Sequence, residues 1–201
     1  MQWMFKKVMI KKNLANTMTF LRIVLIIPLL IATGMQTYQA SLMALLFFTL
    51  GATTDYLDGF FARKYQSVTR FGIFFDPVAD KLFVVGSLCA LMFFQYMSLI
   101  GAAASCVIIL REIFISSLRE FSSAYQLNLS VTRLAKWKTT VQLLGIGSLY
   151  GGKVSPYSLS VQYMGEVLLT LAAVLSVVSS YRYFKKSMAI IFKVPDSSLH
   201  P

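Results

Sequence analysis

A chain of 201 residues that is 57% hydrophobic, with a mean hydropathy of +0.67, is too apolar for an ordinary soluble domain. Its net charge of +11 would suggest nucleic acid as a partner in a soluble protein. Here the cations fall in short clusters between apolar runs, a distribution that reports membrane topology and excludes a nucleic-acid binder.

In chain order, Met1–Lys12 mixes Trp3, Met4, Phe5, Val8, Met9 and Ile10 with four lysines. This predicts a short amphipathic helix over residues 1–13, lying on an anionic leaflet. No small-x-small site follows, and the next apolar run is full length, so the segment does not read as a cleavable signal peptide. Six apolar runs then recur at about 14–34, 40–63, 73–97, 99–121, 134–152 and 160–184, each long enough to cross a bilayer as a helix. A spanning segment must satisfy its own backbone hydrogen bonds, and nothing alternates like a membrane β-barrel, so helix is the default. The expected fold is an all-α integral membrane protein with six transmembrane helices in residues 14–186 and a tail at 187–201, apolar at 188–192. Cys89 and Cys106 fall within apolar runs and read as buried small hydrophobes, and the only histidine, His200, lies in the tail, so no zinc site is expected.

Lys6, Lys7, Lys11 and Lys12 precede the first span, and Arg63, Lys64 and Arg70 join the second and third. Arg133, Lys136 and Lys138 join the fourth and fifth, and Arg182, Lys185, Lys186 and Lys193 follow the sixth. The opposite connections carry only Lys153. The positive-inside rule then places both termini on the cytoplasmic side, an arrangement that six spans satisfy and five or seven would not.

Four aspartates punctuate the boundary between the second and third spans: Asp55-x2-Asp58-Gly59-x2-Ala62-Arg63-x8-Gly72-x3-Asp76-x3-Asp80. Half of the chain's eight acidic residues lie in this stretch. A carboxylate near hydrocarbon is costly and marks function. Spacings of three and four put each pair on one helix face. Counted from Ala40, Asp55 lies about 22 Å along its helix, in the cytoplasmic third of the bilayer. In an antiparallel hairpin Asp58 comes level with Asp76, and Asp55 with Asp80, giving two facing pairs. Four carboxylates so close repel unless cations join them, and all-oxygen ligands suit two divalent ions such as Mg²⁺ or Mn²⁺, which together can clamp a phosphate. Gly59 and Ala62 keep one wall low for a large ligand. The same aspartates are also open to reading as an ion relay of a transporter, or as a salt-bridge net with Arg63 and Arg111.

The string resembles the full signature of the CDP-alcohol phosphatidyltransferases, D-x2-D-G-x2-A-R-x8-G-x3-D-x3-D, without departure. The resemblance extends upstream to Asn16-x2-Thr19-x2-Arg22, and six helices fit the family's architecture. It implies transfer of a phosphatidyl group from a CDP-linked lipid to an alcohol with release of CMP. It implies Asp55, Asp58 and Asp76 as metal ligands and Asp80 as ligand and general base. It also implies a homodimer in the bacterial inner membrane. Thr19 and Arg22, at the cytoplasmic start of the first span, are expected near the CDP-lipid with Gly59, Ala62 and Arg63.

The second half of the chain bears on the acceptor. The fourth span carries Arg111-Glu112 and Arg119-Glu120, and Arg133, Lys136 and Lys138 follow it. By charge alone these are either a pocket for an acceptor's phosphate or topological flanks in which Glu112 neutralises Arg111. Arg111-Glu112-x6-Arg119-Glu120 followed by Lys136-x-Lys138-Thr139-x2-Gln142 resembles the bacterial phosphatidylglycerophosphate synthases. Ala135 stands where those enzymes usually carry glycine. That resemblance implies CDP-diacylglycerol as donor and sn-glycerol 3-phosphate as acceptor, so Arg119, Lys136 and Lys138, with Arg111 and the neighbouring Arg133, are expected around the acceptor phosphate. An inositol phosphate or phosphatidylglycerol is the sibling alternative.

Overall fold

The computed structural model describes the backbone of residues 2–65, 70–124 and 133–191, with the side chains of 17–54, 75–120, 122, 137–181, 184, 185 and 188. Six α-helices account for nearly all of it: α1 (Gln2–Met35), α2 (Tyr38–Tyr65), α3 (Arg70–Phe93), α4 (Leu99–Ala124), α5 (Arg133–Gly152) and α6 (Ser158–Ile191). No strand occurs among the described residues.

The helices follow the apolar runs, with three differences at their ends. α1 is unbroken from Gln2 to Met35, so the boundary expected at residue 13 has no counterpart in the backbone. Nothing between Gln2 and Ile27 is a glycine or proline, so no residue there breaks the helix. α3 stops at Phe93, short of the expected 97. There the Tyr96 N–H donates to the Leu91 carbonyl (2.9 Å) and the Gln95 N–H to the Met92 carbonyl (3.2 Å), while Gln95 takes φ 57°. This is a left-handed C-cap in which glutamine occupies the position usual for glycine. α6 continues to Ile191 because the first breaker after it is Pro195. At the start of α2 the Thr37 hydroxyl accepts the Ala40 N–H at 3.2 Å, an ordinary N-cap.

Three stretches are long and apolar enough to cross a membrane among the described residues: Thr17–Met35, Leu99–Glu120 and Ser158–Tyr181. The other three helices are 28, 24 and 20 residues long and carry their charged residues toward one end. Those ends hold Asp55 to Lys64, Arg70 to Lys81 and Arg133 to Lys138. Burial departs from that of a soluble protein, with small polar residues inside and many large apolar ones outside. Thr33, Ser87, Ser105 and Ser176 are fully buried, while Phe20, Ile27, Ile31, Leu110 and Val174 are exposed. Small polar residues between helices and large apolar ones outside are what a lipid environment selects. The same logic overturns the expectation for Cys89 and Cys106, which are exposed. In lipid an apolar surface need not be hidden, so an apolar run does not tell which of its residues are interior.

The chain forms two compact units: Met1–Ser98 with Ile146–Gly165, and Leu99–Gly145 with Glu166–Pro201. In the first, α1, α2 and α3 pack around Leu29, Ala44, Ala79 and Leu88, all fully buried. An aromatic row runs through it. Phe83 stacks on Phe48 (centroids 5.7 Å apart), Phe48 meets Tyr150 of α5 (5.5 Å), and Tyr150 meets Tyr96 (6.0 Å). Gly51 makes room for this row, since a Cβ there would stand 2.2 Å from Phe83 Cζ. At the end of α3 far from Asp76, the Tyr96 hydroxyl donates to the Thr33 carbonyl (3.2 Å) and the Thr33 hydroxyl to Tyr150 Oη (3.4 Å). These bonds satisfy polar groups that neither lipid nor a dry core could.

The second unit is built from α4, the first part of α5 and most of α6. Its interior holds Ile108, Ile115, Leu169, Ala172 and Ser176. Gly145 lets α5 approach α6 closely, because a Cβ there would meet the Leu169 backbone nitrogen at 3.1 Å.

Candidate active site

Within the first unit, α3 presents Asp76 and Asp80 one turn apart, and Pro77 between them does not end the helix. Asp76 is exposed and Asp80 half-buried. Thr19, on α1 and only 1% exposed, donates its hydroxyl to Asp76 Oδ1. One helical turn further along α1, Arg22 is 2% exposed, so a cation is held inside the protein on the same face. Thr19, Arg22 and Asp76 are therefore brought into one region by the packing of α1 against α3.

Asp55, Asp58, Gly59, Ala62 and Arg63 lie along the last part of α2, as the spacing requires, and their side chains fall outside those described. The two level pairs drawn from the spacing depend on those side chains. Among the described residues no group of three or more acidic, histidine or cysteine side chains is gathered for a metal, and the described half of the string is Asp76 and Asp80.

The second unit holds a charged cluster of its own. Arg111 is fixed by α6, donating from Nε to Ser180 Oγ (2.7 Å) and from Nη2 to Ser179 Oγ (3.0 Å). Its Nη1 lies 3.4 Å from Glu112 Oε1. Lys138, 2% exposed, ion-pairs with the same Glu112 oxygen. Glu112 thus neutralises two of the cations, which was one of the two readings that charge alone left open. Arg119 is exposed on α4, while Arg133 and Lys136 lie in the first turn of α5 with side chains outside those described. Gln142, buried one turn beyond Lys138, extends the polar face of α5.

Ser179 and Ser180 were not among the residues expected at the site. The signal was present: Ser176-x2-Ser179-Ser180 interrupts an otherwise apolar run, and such residues in a span bond across helices.

Residues 12–178 match the family model of the CDP-alcohol phosphatidyltransferases. The chain belongs to the CDP-alcohol phosphatidyltransferase family. Among curated relatives, it is 36% identical over 176 residues to the CDP-diacylglycerol–glycerol-3-phosphate 3-phosphatidyltransferase of Rickettsia felis, covering 88% of this chain and 96% of that one. Proteins of the same name from Haemophilus influenzae (35% over 177 residues; 87% and 93% covered) and Yersinia enterocolitica (36% over 173 residues; 85% and 92%) are similar over nearly the same span. Family membership identifies the chain as a phosphatidyltransferase rather than an ion-coupled transporter.

Proposed function

We propose that this chain joins CDP-diacylglycerol and sn-glycerol 3-phosphate into phosphatidylglycerophosphate, releasing CMP. The observation that carries the reading is the shared name of relatives that align over more than four-fifths of the chain, across both charged clusters. The acceptor's hydroxyl oxygen bonds to the phosphorus bearing the diacylglycerol. The bond from that phosphorus to the CMP oxygen breaks, and the hydroxyl proton passes to Asp80.

The donor set fits hard cations: four carboxylates with no nitrogen or sulfur ligand among them, two of them one turn apart on α3. Asp55, Asp58, Asp76 and Asp80 would hold two divalent ions, Mg²⁺ or Mn²⁺. When bound, these neutralise the donor's diphosphate and stabilise the departing oxygen. The protein's own residues supply the rest. Arg22 adds positive charge near the head group, Gly59 and Ala62 keep the α2 wall low, and Arg63 adds a further cation. Arg111, Arg119, Arg133, Lys136 and Lys138 hold the acceptor's phosphate, with Arg111 oriented by the two α6 serines. Both Arg111 and Lys138 face Glu112, so an arriving phosphate displaces that carboxylate or shares the two cations with it. Positioning and charge neutralisation then account for most of the rate.

In the same reading all six helices span the inner membrane, with both termini and the aspartates on the cytoplasmic side. The distribution of lysine and arginine supports this. A homodimer is carried by the family resemblance, and cross-linking in membranes tests it. The activity itself is tested by CMP release from CDP-diacylglycerol with Mg²⁺ and a panel of acceptors. Glycerol 3-phosphate is expected to support it, and an inositol phosphate or phosphatidylglycerol is not. Release with another acceptor alone would reassign the substrate, and no release with any would remove the enzyme reading.

A further inference from the structure

Thr19 sits one turn before Arg22 on α1, a placement that first suggests contact with the CDP-lipid. Its surroundings point elsewhere. The residue is 1% exposed, and its hydroxyl donates to Asp76 Oδ1, a partner 57 residues away on α3. Asp76 itself is exposed. One carboxylate oxygen is thus tied inward to α1 while the second lies outside that bond.

From this geometry we infer that Thr19 is a positioning residue: its hydroxyl holds the Asp76 carboxylate in the orientation that receives a divalent cation, and it does not touch the lipid. An aspartate has two rotatable side-chain torsions, and a loose carboxylate must lose that freedom each time an ion binds. A hydroxyl donating to one oxygen removes the freedom beforehand and leaves the other oxygen's lone pairs for the ion. A threonine donor suits the task because its β-branch limits χ1 to few rotamers. It brings no charge, unlike a lysine or arginine, and so does not compete with the cation. Groups that hold metal-ligating carboxylates typically change metal affinity about 10- to 100-fold when removed. The bond also connects α1 to α3 at the site, so the register of that helix pair bears directly on the aspartates.

The inference rests on the proposal that Asp76 is a metal ligand, and the experiment separates the two. Mn²⁺ is titrated into the purified full-length protein in detergent, without substrate, and free Mn²⁺ is read by electron paramagnetic resonance. The chains compared are the wild type, Asp76→Asn, Thr19→Val and Thr19→Ser, with donor KM and kcat measured alongside. The expected result is that Thr19→Val weakens Mn²⁺ binding about tenfold. It should lower kcat at limiting metal, recover activity at high Mn²⁺ and leave the donor KM unchanged at saturating metal. Thr19→Ser, which keeps the hydroxyl, should bind Mn²⁺ within about threefold of wild type. Should the valine chain fail to fold, Thr19→Ala removes the same hydroxyl. If Thr19→Val binds Mn²⁺ like the wild type but raises the donor KM, Thr19 contacts the lipid and the inference is overturned. If Thr19→Ser is as impaired as Thr19→Val, the hydroxyl is not what matters and the inference is again overturned. If the wild type binds no Mn²⁺, or Asp76→Asn binds it equally well, the metal reading of Asp76 fails and takes the inference with it.

Discussion

Lys138 and Glu112 form an ion pair between α5 and α4, with the lysine almost wholly buried. Burying an ammonium is costly, and the carboxylate offsets that cost only while it is present. Glu112→Ala should therefore destabilise the protein on the order of 3 kcal/mol, read as a lower unfolding temperature in detergent. Glu112→Ala combined with Lys138→Met should recover most of the loss, because both charges are gone. A double variant as unstable as the single one would show that the pair does not account for the effect. Lys138→Ala should also raise the acceptor KM more than the donor KM. An equal effect on both would count against a dedicated phosphate pocket.

Arg111 is aimed by Ser179 and Ser180 of α6. Replacing both serines by alanine leaves the guanidinium without two well-formed bonds, each contributing about 1 kcal/mol. The expected outcome is a several-fold rise in the KM for glycerol 3-phosphate, with the KM for CDP-diacylglycerol unchanged. Steady-state kinetics with each substrate varied in turn checks it, and an unchanged acceptor KM would remove α6 from the site.

Gly51 is set against the ring of Phe83, which is 2% exposed and stacked on Phe48. The ring has no room to retreat, so Gly51→Ala should cost about 1–3 kcal/mol by overpacking. Phe83→Leu in the same chain should restore part of it. Gly51 lies one turn before Asp55 on α2, so activity should fall together with stability. Calorimetry of the single and double variants decides this, and an unaffected single variant would contradict the packing.

Asp80→Asn keeps the shape of the side chain and removes both its charge and its basicity. Turnover should be lost while binding of the CDP-lipid is largely kept, as measured by retention of a labelled donor. Retained turnover would exclude Asp80 as the base. Chelation by EDTA should stop the wild-type reaction, and Mg²⁺ or Mn²⁺ should restart it.

The parts of this protein that were legible in its sequence are those set by local rules. Helix positions followed apolar run length, because a spanning segment must close its own hydrogen bonds. Membership of the family followed from the aspartate string, because its residue types stand at the fixed spacing that marks the family. Helix ends were less legible. The stop of α3 depends on Gln95 taking a left-handed conformation, which glutamine does not advertise. Exposure of Cys89 and Cys106 was misread because hydropathy does not distinguish a lipid-facing side from an interior one.

The sequence by itself determined an all-helical chain with membrane-length apolar helices and its family, since each follows from residue type and spacing along one or two neighbouring helices. Only the tertiary structure decided the partners. Thr19 meets Asp76 across 57 positions, Arg111 meets Ser179 and Ser180 across 68 and 69, and Lys138 meets Glu112 across 26. The physical reason is that such pairs depend on the register and rotation of one helix against another. Packing of small residues sets these, and no periodicity within a single helix encodes them.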